Sequence, residues 1–211
     1  MKKIQSNNLK FVLGLMLAVS VSSVSAIPKT VVGTGNANEN SHSPDLAVDS
    51  QGRIHTVWME QSSTLSEFDV MYRLLAADGT EIVAKTQLSD STVTSDSQGH
   101  PAIAVDDNDH AYVSWFDAND TDGFFVGLNN GVEKFSPVTV TDCKRSNLAV
   151  GSGGNIHMAC ASDNGDVQMQ VFGADGTTIT ASYVVTDSVV DQYYGVSRIH
   201  MALDRDRKSV V

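Results

Sequence analysis

Pro44-Asp45-Leu46-Ala47-Val48-Asp49-Ser50-Gln51-Gly52-Arg53-Ile54-His55-Thr56-Val57-Trp58 reads as two short strands joined by a tight polar turn. The pattern returns three times. Pro101-Ala102-Ile103-Ala104-Val105-Asp106 leads to Tyr112-Val113-Ser114-Trp115, and Asn147-Leu148-Ala149-Val150-Gly151 leads to Ile156-His157-Met158-Ala159-Cys160. Ile199-His200-Met201-Ala202-Leu203-Asp204 leads to a last stub, Ser209-Val210-Val211. Aligned on Ala47, Ala104, Ala149 and Ala202, the copies are spaced roughly 50 residues apart.

Apolar residues alternate with a period of two, and Gly, Asn and Asp turns punctuate them, which excludes helical repeats of similar length. A strand-only repeat of this size predicts the four-stranded antiparallel blades of a β-propeller. The fold class is therefore all-β: a partial propeller of about three and a half blades, with repeats starting near residues 41, 98, 143 and 196. On each innermost strand, large residues point one way and the alanine the other. That suits packing that tapers toward an axis. Asp78-Gly79, Asn130-Gly131 and Asp175-Gly176 predict hairpins with positive φ at both central residues, each followed by an outer strand. Those outer strands are read at Gln87–Ser89, Pro137–Thr141 and Tyr183–Thr186, with Pro28–Gly35 in the matching place before the first repeat.

Residues 1–26 have the layout of a secretory signal peptide: Lys2, Lys3 and Lys10, an apolar core from Phe11 to Val19, and Val24-Ser25-Ala26 as a cleavage site. The apolar run is short for a membrane span. Cleavage would leave residues 27–211 and remove three lysines and no acid from a chain of net charge −11. An acidic exported protein repels nucleic acid and anionic lipid. The chain stops inside what reads as the second strand of a fourth repeat. That is the expectation for a truncated reading of a longer protein, or for a ring completed by another subunit. An open edge of this kind is prone to self-association.

Cys143 and Cys160 are the two cysteines. Cys160 takes the slot of Trp58 and Trp115, and a disulfide across the intervening loop is expected in an oxidising compartment. Ser43, His100, Arg145 and Arg198 recur at the connection into each repeat, where a propeller opens its channel. Glu60, Asp117 and Asp163 are expected on the same face, from the loops after the second strands. Such a ring of His and Arg facing carboxylates would hold an acidic sugar or a peptide terminus. The partners expected are thus a carbohydrate or protein ligand, and no cofactor. Asp117, Asn119 and Thr121 place oxygen atoms at alternating positions, as calcium requires, but the spacing misses the EF-hand pattern. The recurring Asp49, Asp106 and Asp204 read as turn-stabilising carboxylates, and His55 and His157 as packed ring positions.

The repeat φ-Ala-φ-Asp-x-x-Gly-x-φ-His-x-x-Trp resembles those of bacterial secreted propellers of the sialidase-like (BNR-type) superfamily, and more loosely NHL-type repeats, over most of residues 41–211. The resemblance implies a propeller fold. Catalysis in that family further implies Asp boxes of the form Ser-x-Asp-x-Gly-x-Thr-Trp, an arginine triad, a tyrosine–glutamate pair and an acid. No Asp box is present, and Tyr193 and Tyr194 near Arg198 do not supply the rest. The expectation is an exported non-enzymatic binding or interaction scaffold, with a sialidase-like glycoside hydrolase fragment as the alternative.

Overall fold

The computed structural model describes residues 40–61, 68–89, 98–117, 122–151, 153–186, 199–203 and 209–210. Among them the regular structure is all strand. The first blade is β1 (Ser41–Val48), β2 (Ile54–Gln61), β3 (Phe68–Leu75) and β4 (Glu81–Gln87), hydrogen-bonded in that order. The second is β5 (Gln98–Val105), β6 (Ala111–Asp117) and β7 (Gly123–Asn129), with β8 (Val132–Glu133) and β9 (Val138–Val140) both paired to β7. The third is β10 (Lys144–Val150), β11 (Ile156–Ala161), β12 (Val167–Phe172) and β13 (Thr178–Thr186). A two-stranded pair, β14 (Ala202–Leu203) and β15 (Ser209–Val210), begins a fourth. Every pairing is antiparallel. The protein is a partial β-propeller. The leader, residues 28–35, Tyr193, Tyr194 and Arg198 lie outside the described residues.

The alternation on the innermost strands sets the stacking. Ala47, Val57, Tyr72 and Leu74 of blade 1 pack on Ile103, Val113 and Trp115 of blade 2. Ala104, Tyr112 and Phe125 of blade 2 pack on Leu148, Val150 and Phe172 of blade 3. Ala159, Ala161 and Met169 of blade 3 meet Ile199 and Met201. Blades 1 and 2 thus turn their inner-strand alanine forward and receive the large-residue face of the next. Leu46 and Val48, which occupy the backward positions of blade 1, are 60% and 57% exposed.

Two details differ from the sequence expectation. Of the predicted turns, only Asn130-Gly131 has positive φ at both residues, 49° and 80°. At Asp78-Gly79 and Asp175-Gly176 the glycine alone is positive. There the Asp accepts bonds from the backbone and hydroxyl of Thr80 or Thr177, which holds a longer loop closed by a left-handed glycine. Second, the outer strand of blade 1 is Glu81–Gln87, with only the Leu88 N–H continuing the pairing, to Val70 O. In blade 2 the outer strand is split, because Phe135 turns inward against Phe125 (centroids 5.4 Å apart). A Cβ on Gly127 would lie 2.6 Å from the Phe135 ring, so the glycine makes that excursion possible.

The equivalence of Leu46 and Ile103 gives a direct test of the stacking order. Ile103→Ala should cost about 2–5 kcal/mol in denaturant unfolding. Leu46→Ala, at the same repeat position but exposed, should stay within about 0.5 kcal/mol. Equal losses at both positions would contradict the packing described.

Candidate functional site: the hub cavity

The inner strand of each blade carries one irregularity, at the same place. In β1 the register against β2 jumps between His42 and Asp45, leaving Ser43 and Pro44 opposite Trp58. In β5 the jump leaves His100 and Pro101 opposite Trp115. In β10 it leaves Arg145 and Ser146 opposite Cys160. These are β-bulges, two residues against one. Ser43, His100 and Arg145 are the first bulge residues, with φ of 52°, 50° and 47°. Non-glycine residues in the left-handed region are uncommon, and their cost must be met by surrounding structure. Three in register, two of them ahead of a proline, mark a repeated device.

The three bulges converge. Residues 43–45, 100–102 and 145–147, with Ile199 and His200 of the fourth repeat, line one cavity of about 130 Å³ at the hub. Its wall is mainly polar and carries Arg145, His100 and His200 against one carboxylate, Asp45. The Ser43 hydroxyl lies 3.1 Å from His42 Nδ1. Asp45 is engaged by the backbone: Oδ1 accepts the N–H of Leu46 and Oδ2 that of Ile103, each at 3.0 Å.

Ser43, His100 and Arg145 are therefore brought together, while Glu60, Asp117 and Asp163 are not part of the cavity. Glu60 lies within β2, buried, accepting from Trp58 Nε1 at 3.0 Å and paired with Lys85. Asp117 is buried at the end of β6. Asp163 sits in the next turn, paired with Lys144. The strands run longer than the sequence pattern indicated, so Glu60 and Asp117 fall within the ladders, while Asp163, in the turn after β11 as expected, does not line the cavity. Asp45, Asn147 and His200 were not singled out from sequence, although each sits two residues before a repeat alanine. Asn119 and Thr121 lie outside the described residues. Among the described residues no group of three or more His, Cys, Asp or Glu is arranged to hold a metal ion.

Cys143 and Cys160 form a disulfide with Cα atoms 5.2 Å apart. Both are buried. Cys160 faces the bulge in the place of Trp58 and Trp115, and Cys143 lies two residues before Arg145. Only one residue pair, Lys144 with Ala161, precedes the bulge in blade 3, against two in the other blades. The covalent link anchors the strand end that carries Arg145.

The opposite ends of the inner strands hold the recurring aspartates. Asp49 Oδ1 accepts the N–H groups of Gln51 and Arg53 at 2.9 and 2.8 Å. Its Oδ2 takes the Arg53 guanidinium and His55 Nε2–H. His55 Nδ1 then accepts from Tyr72 OH at 2.9 Å, so the buried imidazole is satisfied as the neutral form. Burial opposes ionisation of Asp49, but the bonds from Arg53 outweigh it and hold the carboxyl below its usual range. Burial also lowers the pKa of His55, against the pull of Asp49. Asp106 repeats the turn, accepting from Asn108 and His110 N–H groups, from His110 Nδ1–H at 3.0 Å and from Tyr112 OH at 3.1 Å. In blade 3 Gly151 removes the carboxylate, and His157 Nδ1 is buried without a hydrogen-bond partner among the described residues. These clusters close turns and seams. Asp109 does so between blades, accepting from Gln51 Nε2, Ser50 N–H and Ser50 Oγ, which brings its pKa down to about 2.

No protein-family model matches the sequence, and comparison with curated proteins returns no match. Solved structures similar to this chain include three carbohydrate-related proteins. An exo-β-1,3-galactanase from Clostridium thermocellum is 12% identical over 69% of this chain and 36% of its own, with a TM-score of 0.46. An exo-β-1,3-galactanase from Phanerochaete chrysosporium, solved with galactose, is 11% identical over 70% of this chain and 36% of its own, TM-score 0.47. A fucose lectin from Kordia zhangzhouensis is 10% identical over 67% of this chain and 96% of its own, TM-score 0.38. The chain spans about a third of the length of the two galactanases. The propeller assignment stands on the strand order and blade stacking described above.

Two measurements test this account. The unfolded chain takes up a proton on histidine near pH 6.5, whereas burial lowers the pKa of His55 in the fold, so stability should decline as the pH drops below about 6.5. The Asp109 contribution is present above the unfolded carboxyl value and is lost as the pH falls from about 4 to about 2. Thermal midpoints across that range should show both declines, with the lower one shallower in Asp109→Asn. Replacing Cys143 and Cys160 together by alanine should lower unfolding free energy by about 3 kcal/mol. An unchanged midpoint in the double variant would mean the link constrains nothing.

Proposed function

We propose that the protein is an exported, non-enzymatic binding scaffold whose ligand sits in the hub cavity. The observation that carries this reading is the triple repetition: three blades each use a left-handed, non-glycine residue to send a polar side chain to one point. Packing alone does not require it, since an ordinary pleated pair would continue each ladder without the unfavourable φ. The cavity chemistry favours an anionic group. Arg145 is permanently charged and His100 and His200 stand beside it, in a chain whose formal net charge is −11. The ligand classes that fit are an acidic sugar and a peptide carboxyl terminus, that is, a carbohydrate or protein partner. The buried disulfide supports export to an oxidising compartment.

The competing expectation is a fragment of a glycoside hydrolase. Hydrolysis of that kind ordinarily needs two carboxyl groups flanking the scissile bond. Among the described residues the cavity offers Asp45 alone, already holding two backbone N–H groups.

Titration calorimetry against a panel of neutral and acidic sugars and short peptides tests the proposal. Any ligand found should lose about tenfold or more in affinity in Arg145→Ala/His100→Ala, read on a variant that still shows a cooperative thermal unfolding transition. Undiminished affinity in that double variant would place the ligand elsewhere.

A further inference from the structure

Around the hub the same bond is made twice and omitted once. The first residue after each bulge reaches toward the inner strand of the next blade. In blade 1 it is Asp45, whose Oδ2 accepts the Ile103 N–H of blade 2 at 3.0 Å. In blade 3 it is Asn147, whose Oδ1 accepts the Met201 N–H of the fourth repeat at 3.1 Å. In blade 2 it is Ala102, which has no acceptor to offer. The corresponding N–H, that of Leu148 in blade 3, therefore receives no such side chain from the blade before it. That seam is tied at another point, by Ser146 Oγ donating to Ser114 Oγ at 2.7 Å. Ala102 lines the hub cavity beside His100 and Arg145.

We propose that a carboxylate group of the ligand occupies this place, accepting the Leu148 N–H on one oxygen as Asp45 accepts that of Ile103. The inference rests on reading the hub as the binding site and names the chemistry that site selects. Three facts converge. Ala102 brings no side-chain oxygen to the place where Asp45 and Asn147 each bring one. Repeat equivalence sets the Leu148 N–H at that place, as the Ile103 and Met201 N–H groups stand at Asp45 and Asn147, and a ligand oxygen there would give it a side-chain-like acceptor. Arg145, from the adjacent bulge, adds the charge-assisted partner that a neutral hydroxyl would not use. The hub already holds one carboxylate on two backbone N–H groups, that of Asp45, so the geometry for another is native to the fold. Ala102 is then the residue that sets specificity: it keeps the chain's own acceptor out of the way of the ligand's.

The test uses the folded chain, with sodium glucuronate and N-acetylalanine as carboxylate probes and glucose as the neutral control. At least one carboxylate should move the Leu148 amide resonance while glucose does not, and comparison of the two carboxylates separates an acidic sugar from a peptide terminus. Ala102→Asp places the chain's own carboxylate in the gap, so the thermal midpoint should rise while carboxylate affinity falls by about tenfold or more. Ala102→Asn, which copies blade 3, should do the same without adding charge and covers the case in which the aspartate disturbs folding. Affinity within about twofold of the parent in a folded Ala102 variant overturns the assignment. So does a Leu148 amide unmoved by a bound carboxylate. Binding of glucose but of neither carboxylate would overturn this assignment and leave the hub reading in place; binding of nothing at the hub would remove both.

Discussion

The structure depends on one complementary contact made repeatedly: a small residue on the forward face of an inner strand against a pair of large residues on the next. Ala47 admits Ile103 and Val105, and Ala104 admits Leu148 and Val150. A larger residue at the alanine positions would push the inner strands apart at the crowded end, where interiors tolerate little extra volume. Because the contact is repeated, each blade is oriented by the one before it. The inner edges then converge on a common line. The hub cavity is the space that this convergence leaves.

The two ends of the inner strands have separate tasks. At the turn ends, carboxylates are saturated by backbone N–H groups, histidine and arginine, and Asp49, Asp106 and Asp109 hold turns and seams together. At the bulge ends, Arg145, His100 and His200 stand with one carboxylate, Asp45, whose Oδ2 reaches the neighbouring blade. This polarity explains why Asp49 and Asp106, two of the recurring aspartates, are structural here, while Asp204 lies outside the described residues. It also explains why the less regular positions, occupied by Ser43, His100 and Arg145, form the cavity.

Much of the architecture was legible in the residues. The alanine spacing, the alternation of large and small, the tryptophan slots and the cysteine standing in one of them all follow from period-two patterning and repetition. The location of the polar convergence followed too, since the entry to each inner strand recurs at a fixed offset. What could not be read was conformational. A serine, histidine or arginine in the left-handed region carries no signal, unlike glycine, so the bulges were invisible. The side-chain bridges of Asp45 and Asn147 join residues more than fifty positions apart and appear only once blades are stacked. Glu60 and Asp117 were read as loop residues for a related reason: strand length is fixed by pairing partners, and a polar end residue reads equally well as loop.

The left-handed bulge carries a consequence for how such a surface can change over time. Its first residue lines the cavity while the residues flanking the bulge keep the ladder, so that position can be rewritten one letter per blade without disturbing the sheets. The alphabet is restricted, however. Branching at the β-carbon clashes in that conformation, so valine, isoleucine and threonine are shut out. Short polar, imidazole and flexible basic side chains remain admissible. The vocabulary of the cavity is thus narrowed by the backbone itself, before any ligand exerts selection.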